Sequence, residues 1–190
     1  MMQKFTLLIL LFCNPVIAQV QTNKPLTNDK GLLIGLGIGA GSLALKYNDT
    51  VTNKFSTTLP NLKIGYRFNK KLAVCILLPG ANYKYHNKDR GFEGFIPIVQ
   101  YWMKPNWWAL IGCGLTFDAP AFYTVEDPKK AIFYTGFPAF TVATGYEIWH
   151  RNKFVLDLQY RFFTGKSVIA TNQFRKGISN MFVIGFNWKV

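Results

Sequence analysis

The sequence predicts an all-β fold, an eight-stranded antiparallel up-and-down β-barrel that spans a membrane and follows a cleaved signal peptide. Apolar residues alternate with small or polar ones through most of the chain after residue 30, which places successive side chains on opposite faces of a strand. The last strand, over residues 179–190, has one apolar face and no later segment in this sequence to cover it. Lipid can cover that face, and pairing of the last strand with the first leaves no unpaired edge in the bilayer.

Residues 1–18 have the features of a secretory signal peptide. Lys4 precedes an apolar run over residues 5–12, which is too short to cross a bilayer as a helix. Ala18 is the small residue expected before a cleavage site, so we predict cleavage between Ala18 and Gln19. The alternatives are a buried N-terminal segment and lipidation at Cys13, which no small residue precedes.

Length and charge suit one exported domain. The 190-residue chain, shortened by its signal peptide, is predicted to form a short periplasmic lead over residues 19–30 and a barrel over residues 31–190. Its net charge of +13 falls to +12 with the loss of Lys4. The rest of the sequence contains no run of about 18 consecutive apolar residues, which disfavours a helical inner-membrane protein.

Each of the eight predicted strands has an apolar outer face. In the first strand, alternate glycines are expected to face the lumen and to leave room for large side chains from opposite strands. Three short turns, at Asn69–Lys70, Pro105–Asn106 and His150–Asn152, alternate with four longer loops. The residues predicted to face outward are Ile34, Leu36, Ile38, Ala40, Ala44, Leu62, Ile64, Tyr66, Phe68, Leu72, Val74, Ile76, Leu78, Phe95, Val99, Tyr101, Ala109, Ile111, Cys113, Leu115, Phe140, Val142, Thr144, Tyr146, Ile148, Leu156, Leu158, Tyr160, Phe162, Phe182, Ile184, Phe186, Trp188 and Val190.

The turns and the tryptophans predict the orientation. Outer-membrane barrels have short periplasmic turns, longer external loops and both termini in the periplasm. Every tryptophan lies beside a short turn or near the C-terminus, and a soluble β-protein core does not explain this one-sided placement. Because indole rings prefer the membrane interface, we predict a periplasmic aromatic girdle of Trp102, Trp107, Trp108, Trp149 and Trp188.

Prolines interrupt four of the predicted strands. Proline removes a backbone donor from the hydrogen-bond ladder, and a closed barrel has no free edge to tolerate that loss. We therefore expect bulges or irregular pairing, in the half of the barrel farther from the short turns, at Pro60, Pro79, Pro97 and Pro138.

With its signal peptide, eight strands, one-sided tryptophans and closing segment FVIGFNWKV, the mature chain resembles the small outer-membrane β-barrel superfamily. This superfamily includes the OmpA transmembrane domain, OmpX, OmpW and many barrels from Bacteroidetes. The resemblance implies outer-membrane localisation, contact with outer-membrane lipid and lipopolysaccharide, and insertion by the barrel assembly machinery through the C-terminal strand. Val190 stands where the family usually has an aromatic residue, so Trp188 or Phe186 is expected to take that role.

The lumen is predicted to be closed. An eight-stranded barrel is just wide enough for its own side chains to fill. Lys63 is expected to reach across toward Glu147, because the second and sixth predicted strands are four apart in a ring of eight. Two neighbouring carboxylates, Glu147 and Asp157, repel each other unless cations lie close by. We therefore predict a lumenal ion-pair network of Lys63, Arg67, Glu147, Asp157 and Arg161, with a water-filled polar passage as the alternative.

No motif predicts a cofactor or a metal. Gly35, Gly37 and Ala40 fit a loose dinucleotide-binding pattern, but that pattern must open a helix, and here the two-residue period continues. Cys75 and Cys113 are isolated and are expected to act as small apolar residues. We therefore predict neither a cofactor nor a metal site.

The sequence also disfavours catalysis and nucleic-acid binding. Carboxylates in a sealed lumen lack access to substrate, and an enzyme acting on lipid acyl chains would rely on His86 in a long loop. The basic residues, including Arg90 and Arg175, are assigned to both rims, where they favour lipid phosphates or acidic glycans over nucleic acid.

The predicted function is therefore a non-enzymatic outer-membrane protein for envelope integrity or loop-mediated adhesion. OmpW-like transport of small or apolar ligands is the alternative. A barrel enzyme acting on lipid acyl chains and a soluble lipocalin-like binder are less favoured, and the sequence does not predict an oligomeric state.

Overall fold

The computed structural model describes residues 30–47, 50–58, 60–85, 88–121, 133–171 and 173–190. The predicted signal peptide, its cleavage site at Ala18 and Gln19, the lead up to residue 29 and His86 lie outside the described residues. In the described part of the chain, no helix is long and apolar enough to cross a membrane.

The described chain folds into ten β-strands. Most of them carry the two-residue alternation of apolar and polar positions that favours a strand with two different faces. The strands are β1 (Gly31–Tyr47), β2 (Thr50–Thr57), β3 (Asn61–Arg67), β4 (Leu72–Leu78), β5 (Gly80–Tyr85), β6 (Lys88–Lys104), β7 (Trp107–Pro120), β8 (Tyr134–Arg151), β9 (Phe154–Ala170) and β10 (Gln173–Lys189).

Eight of these strands form a closed antiparallel ring in the order β1, β3, β4, β6, β7, β8, β9, β10. The ring closes because β10 pairs with β1, from Leu33 opposite Lys189 to Tyr47 opposite Arg175. Following the paired positions once around the ring from Leu33 leads back to β1 at Leu43, ten residues further along. Such a shift requires strands tilted by about 40°. The predicted eight-stranded antiparallel barrel is confirmed.

The two remaining strands extend the wall at one end of the ring. β2 pairs with β1 from Ala40 to Tyr47, and β5 pairs with β6 from Lys88 to Glu93. No strand pairing joins β2 to β5 among the described residues. Instead, Ser56 Oγ donates to the carbonyl oxygen of Asn82 at 2.6 Å, and Asn82 Nδ2 donates to Thr57 Oγ1 at 3.3 Å. We call this boundary the β2–β5 seam.

The three short turns lie at the opposite end of the ring from the seam. Asn69 Oδ1 accepts hydrogen bonds from the backbone N–H groups of Lys71 and Leu72 at 2.7 and 3.0 Å. Asn106 and Asn152 have φ angles of 68° and 53°, which asparagine tolerates better than most residues. We call this end, which also holds Gly31 and Lys189, the turn end, and the other the loop end.

Side chains alternate between the outside and the lumen as the sequence predicts. On β10, Phe182, Ile184 and Phe186 are exposed, whereas Met181 and Val183 are buried. The same alternation on the other strands leaves a wide belt of large apolar side chains on the exterior. Soluble monomers rarely expose such a belt, which indicates contact with lipid.

The prolines disturb the strands at all four predicted positions. Pro60 separates β2 from β3, and Pro79 separates β4 from β5. Next to Pro138, the β7–β8 register shifts between Gly114 and Thr116, because β8 contains an extra residue there. At Pro97 the β6–β7 ladder is interrupted, because Phe95 and Ile98 have paired positions on β7 whereas Ile96 and Pro97 do not, although the register is the same on both sides.

Candidate functional site in the barrel lumen

The inward-facing side chains divide the lumen into three layers. β6 shows all three, because it runs from the loop end to the turn end and its alternate side chains are buried. In that order they are Arg90, Phe92, Ile96, Ile98, Gln100 and Trp102. A charged loop-end layer and a polar turn-end layer therefore lie on either side of an apolar middle layer.

The middle layer fills the lumen with large apolar side chains. The rings of Phe92 and Phe163 pack with their centroids 5.5 Å apart, and both side chains are no more than 1% exposed. Gly177 faces Phe92, where an added Cβ would lie 2.3 Å from Phe92 Cε1. Gly177 on β10 thus makes room for a ring from β6.

Two carboxylates lie side by side in the turn-end layer. Glu147 and Asp157 are paired positions on β8 and β9, and both side chains are buried. Glu147 Oε1 accepts a hydrogen bond from Trp102 Nε1 at 2.9 Å. Its Oε2 lies 3.6 Å from Lys189 Nζ and 3.3 Å from His150 Nε2, although the histidine contact lacks hydrogen-bond geometry.

Amide side chains, not cations, contact Asp157. Gln159 Nε2 donates to Asp157 Oδ1 at 2.7 Å, and Asn187 Nδ2 donates to Asp157 Oδ2 at 2.9 Å. Arg161 Nη2 in turn donates to Gln159 Oε1. Gln159 therefore links the arginine to the carboxylate. Arg161 Nε and Nη1 are buried and have no hydrogen-bond partner among the described residues.

The predicted contact between Lys63 and Glu147 is not formed. Lys63 Nζ donates to Gln100 Oε1 at 3.0 Å and lies 5.3 Å from the centroid of the Trp108 ring. The charges are close enough for Asp157 and Glu147 to interact with Lys63 through space. Among the described residues, however, no direct ion pair joins Lys63 or Arg161 to a carboxylate. Hydrogen bonds to amide side chains therefore replace the predicted direct ion pairs.

Arg67 lies at the mouth of the turn-end layer. Its guanidinium carbon is 4.1 Å from the centroid of the Trp102 ring. Arg67 Nε and Nη2 donate to the backbone carbonyl oxygens of Asn69 and Lys70 at 3.0 and 2.6 Å. The residues predicted for the network are thus gathered near one end of the lumen, although their partners differ from those expected.

The loop-end layer contains a charged cluster that the sequence pattern did not predict. Asp118 is fully buried and accepts hydrogen bonds from two arginines, Arg90 Nε at 2.8 Å and Arg175 Nη1. Tyr83 Oη lies 2.7 and 2.8 Å from the two carboxylate oxygens and also accepts from Arg175 at 2.7 Å. We call these four residues the Asp118 cluster.

The assignment of Arg90 and Arg175 to the exposed rim is wrong for a geometrical reason. Both are buried, at 9% and 3% exposure, because β6 and β10 continue past the apolar middle layer and keep their alternation. Asp118 lies two residues after Thr116 on β7, so the two-residue alternation places both side chains in the lumen. This alternation is the sequence signal that could have identified Asp118 as a lumenal residue.

Two of the five predicted girdle tryptophans face the lumen. Trp107, Trp149 and Trp188 are 40 to 48% exposed on the exterior near the turn end, whereas Trp102 and Trp108 are 5% and 0% exposed. Trp102 packs under Arg67, and Trp108 packs against Gly145. Assigning Trp102 and Trp108 to the girdle was wrong, because the two-residue period places them on the inner face.

The cysteines lie on opposite faces of the wall. Cys75 is buried and Cys113 is exposed, and both are free thiols. Within the described ranges, no group of three or more His, Cys, Asp or Glu residues is arranged to hold a metal ion.

No protein-family model and no curated protein matches the sequence. Solved structures do match, and one is Neisserial surface protein A, with 17% identity over 86% of this chain and 100% of that chain, at a TM-score of 0.56. Lower scores are found for AlkL in lipid bilayers (12% identity, 90% and 97% coverage, TM-score 0.47) and for Ail of Yersinia pestis in a nanodisc (12% identity, 84% and 99% coverage, TM-score 0.46). Together with the closed eight-stranded ring and its apolar exterior, the first match shows that this chain has the fold of the small outer-membrane β-barrels.

Proposed function

We propose that this chain is an integral protein of the bacterial outer membrane that supports envelope integrity or adhesion through its loops. The observation that carries the proposal is the apolar middle layer, which separates two charged layers inside a barrel whose exterior is apolar. Ions or polar solutes that entered at either end would have to cross Phe92, Ile96 and Phe163. Such a lumen suits a structural or surface-exposed barrel better than a channel.

The proposed orientation follows from the two ends. Barrels of this fold have short turns in the periplasm and longer loops outside. The turn end, which holds the first and last residues of the ring, would therefore face the periplasm. The exposed tryptophans near the turn end, Trp107, Trp149 and Trp188, would then lie at the inner interface. Outer-membrane lipid and lipopolysaccharide would cover the belt, and the barrel assembly machinery would bind β10.

Planar-bilayer recording of the purified barrel tests the closed lumen. We expect the unmodified protein to insert without conductance steps. A triple variant, Phe92→Ala, Ile96→Ala and Phe163→Ala, empties the middle layer and should produce steps. A control that truncates exterior side chains on the same and neighbouring strands, Phe95→Ala, Phe140→Ala and Phe182→Ala, should stay silent. Regular conductance steps from the unmodified barrel would contradict the proposal.

The β2–β5 seam favours a second function, transport of small or apolar ligands. It is a place where the wall is joined by side chains rather than by a hydrogen-bond ladder. A ligand at the loop end could leave the barrel through the wall between β2 and β5, on the loop-end side of the middle layer. The variant Ser56→Cys with Asn82→Cys can lock the seam with a disulfide. Transport predicts slower uptake of a labelled alkane into proteoliposomes when the pair is oxidised, and equal uptake with and without oxidation would exclude this route.

A further inference from the structure

A cavity of about 550 Å³ opens at the turn end, where its walls come from the short turns and from the first and last residues of the ring. We call it the turn-end cavity. Trp102, Leu33 and Glu147 form its inner wall, and Met103 and Pro105 line one side. A volume of this size is typical of sites that hold a small molecule.

Basic side chains dominate the lining of this cavity. Seven of the lining residues are lysine or arginine, and Glu147 is the one Asp or Glu among them. Lys189 lies 3.6 Å from that carboxylate. Four further lysines, Lys30, Lys71, Lys104 and Lys153, lie around the opening, together with Arg67 and Lys70, which have contacts of their own. So many like charges around one concave surface repel each other, and an anion bound among them would relieve the repulsion.

The inner part of the cavity is held in place before any ligand binds. Arg67 lies over the Trp102 ring and donates to two turn carbonyls. Trp102 is fixed in turn by its hydrogen bond to Glu147. The lysines at the opening supply point charges that several phosphates can share.

We propose that the turn-end cavity binds a small polyanion that carries two or more phosphate groups. The proposal does not depend on the lumen being closed or on which side of the membrane the turn end faces. Such a ligand is either a soluble polyphosphate or the headgroup of an anionic phospholipid, since the cavity opens next to the exposed tryptophans of the barrel exterior. Both sources present the same chemistry to the cavity.

Calorimetric titration of inorganic tripolyphosphate into the barrel, held in zwitterionic phosphocholine nanodiscs, tests the site. We expect saturable binding at one site per barrel. The triple variant Lys71→Glu, Lys104→Glu and Lys153→Glu should weaken the affinity at least about tenfold, because it replaces attraction with repulsion at close range. A matched control with the same change in net charge, Lys54→Glu, Lys84→Glu and Lys176→Glu at the loop end, should change the affinity by less than about twofold, since solvent ions screen distant charges.

The proposal is overturned if the unmodified barrel gives no saturable heat, or if the two triple variants weaken binding equally. Heat-modifiable gel mobility of both variants checks that each barrel is folded before titration. The source of the ligand follows from repeating the titration in nanodiscs that contain phosphatidylglycerol. Competition by this lipid supports the headgroup as the natural occupant, and undiminished tripolyphosphate binding supports a soluble one.

Discussion

Glu147 and Asp157 lie directly opposite each other on β8 and β9, yet they share no hydrogen-bond donor among the described residues. Glu147 is bound from the turn end by Trp102 and Lys189. Asp157 is bound by the amide of Gln159 and that of Asn187. Two buried carboxylates at such positions repel each other unless each is stabilised. Separate sets of donors stabilise them here, so the amides are as important to this layer as the cations.

Replacement of Gln159 should therefore destabilise the barrel strongly. Gln159→Leu removes the link between Arg161 and Asp157 and leaves a buried cation and a buried carboxylate each short of a partner. We expect a loss of about 2 to 4 kcal/mol in the free energy of unfolding, measured by urea denaturation in phospholipid vesicles. Gln173→Leu, at an exposed position on β10, should change it by less than about 0.5 kcal/mol. Equal effects of the two substitutions would contradict a role for Gln159 in the network.

The Asp118 cluster should be the most sensitive to loss of a single charge. Asp118→Asn leaves Arg90 and Arg175 buried without the carboxylate that both contact. Removing one partner from a buried ion pair typically costs about 3 to 5 kcal/mol, and we expect a loss in this range by the same denaturation measurement. Asp89→Asn, on the same strand as Arg90 but exposed, is the matched control and should be nearly neutral. A neutral Asp118→Asn would show that water replaces the carboxylate.

Trp108 and Gly145 should be energetically coupled. They are paired positions on β7 and β8, and a Cβ at Gly145 would lie 2.3 Å from Trp108 Cζ2. Overpacking of this kind usually costs about 1 to 3 kcal/mol, so Gly145→Ala should lower stability by that amount. In a Trp108→Leu background the same substitution should be nearly neutral. A double-mutant cycle that gives no coupling energy would contradict the packing of the Trp108 indole ring against Gly145.

The two-residue alternation was enough to predict the barrel, its eight ring strands and the face on which most residues lie. Parity alone assigns Glu147 to the lumen. Parity does not define where a strand ends, however, because a loop is recognised by polar composition. Polar composition therefore assigns Arg90 and Arg175 to loops or rims although their strands continue. The strands β2 and β5 were missed for the same reason.

Side-chain partners were less predictable than faces. Opposite positions in a ring of eight strands predict that Lys63 reaches Glu147, whereas Lys63 donates to an amide, Gln100, on β6. Which acceptor is nearest depends on the shift of ten residues around the ring, and the sequence does not reveal that shift. The tryptophans show a related limit. Their position beside the turns indicated the correct end of the barrel, but Trp102 and Trp108 have the inward parity and fill the lumen.

Quenching of tryptophan fluorescence by lipids brominated on their acyl chains tests most directly whether alternate residues face lipid while the others seal the lumen. Two variants of the barrel are compared in such vesicles, one retaining only Trp188 and the other only Trp108, with phenylalanine at the other tryptophan positions. We predict that brominated lipid removes most of the emission of Trp188, which is exposed on the exterior, and leaves that of the fully buried Trp108 nearly unchanged. Equal quenching of the two residues, or none at Trp188, would contradict the arrangement.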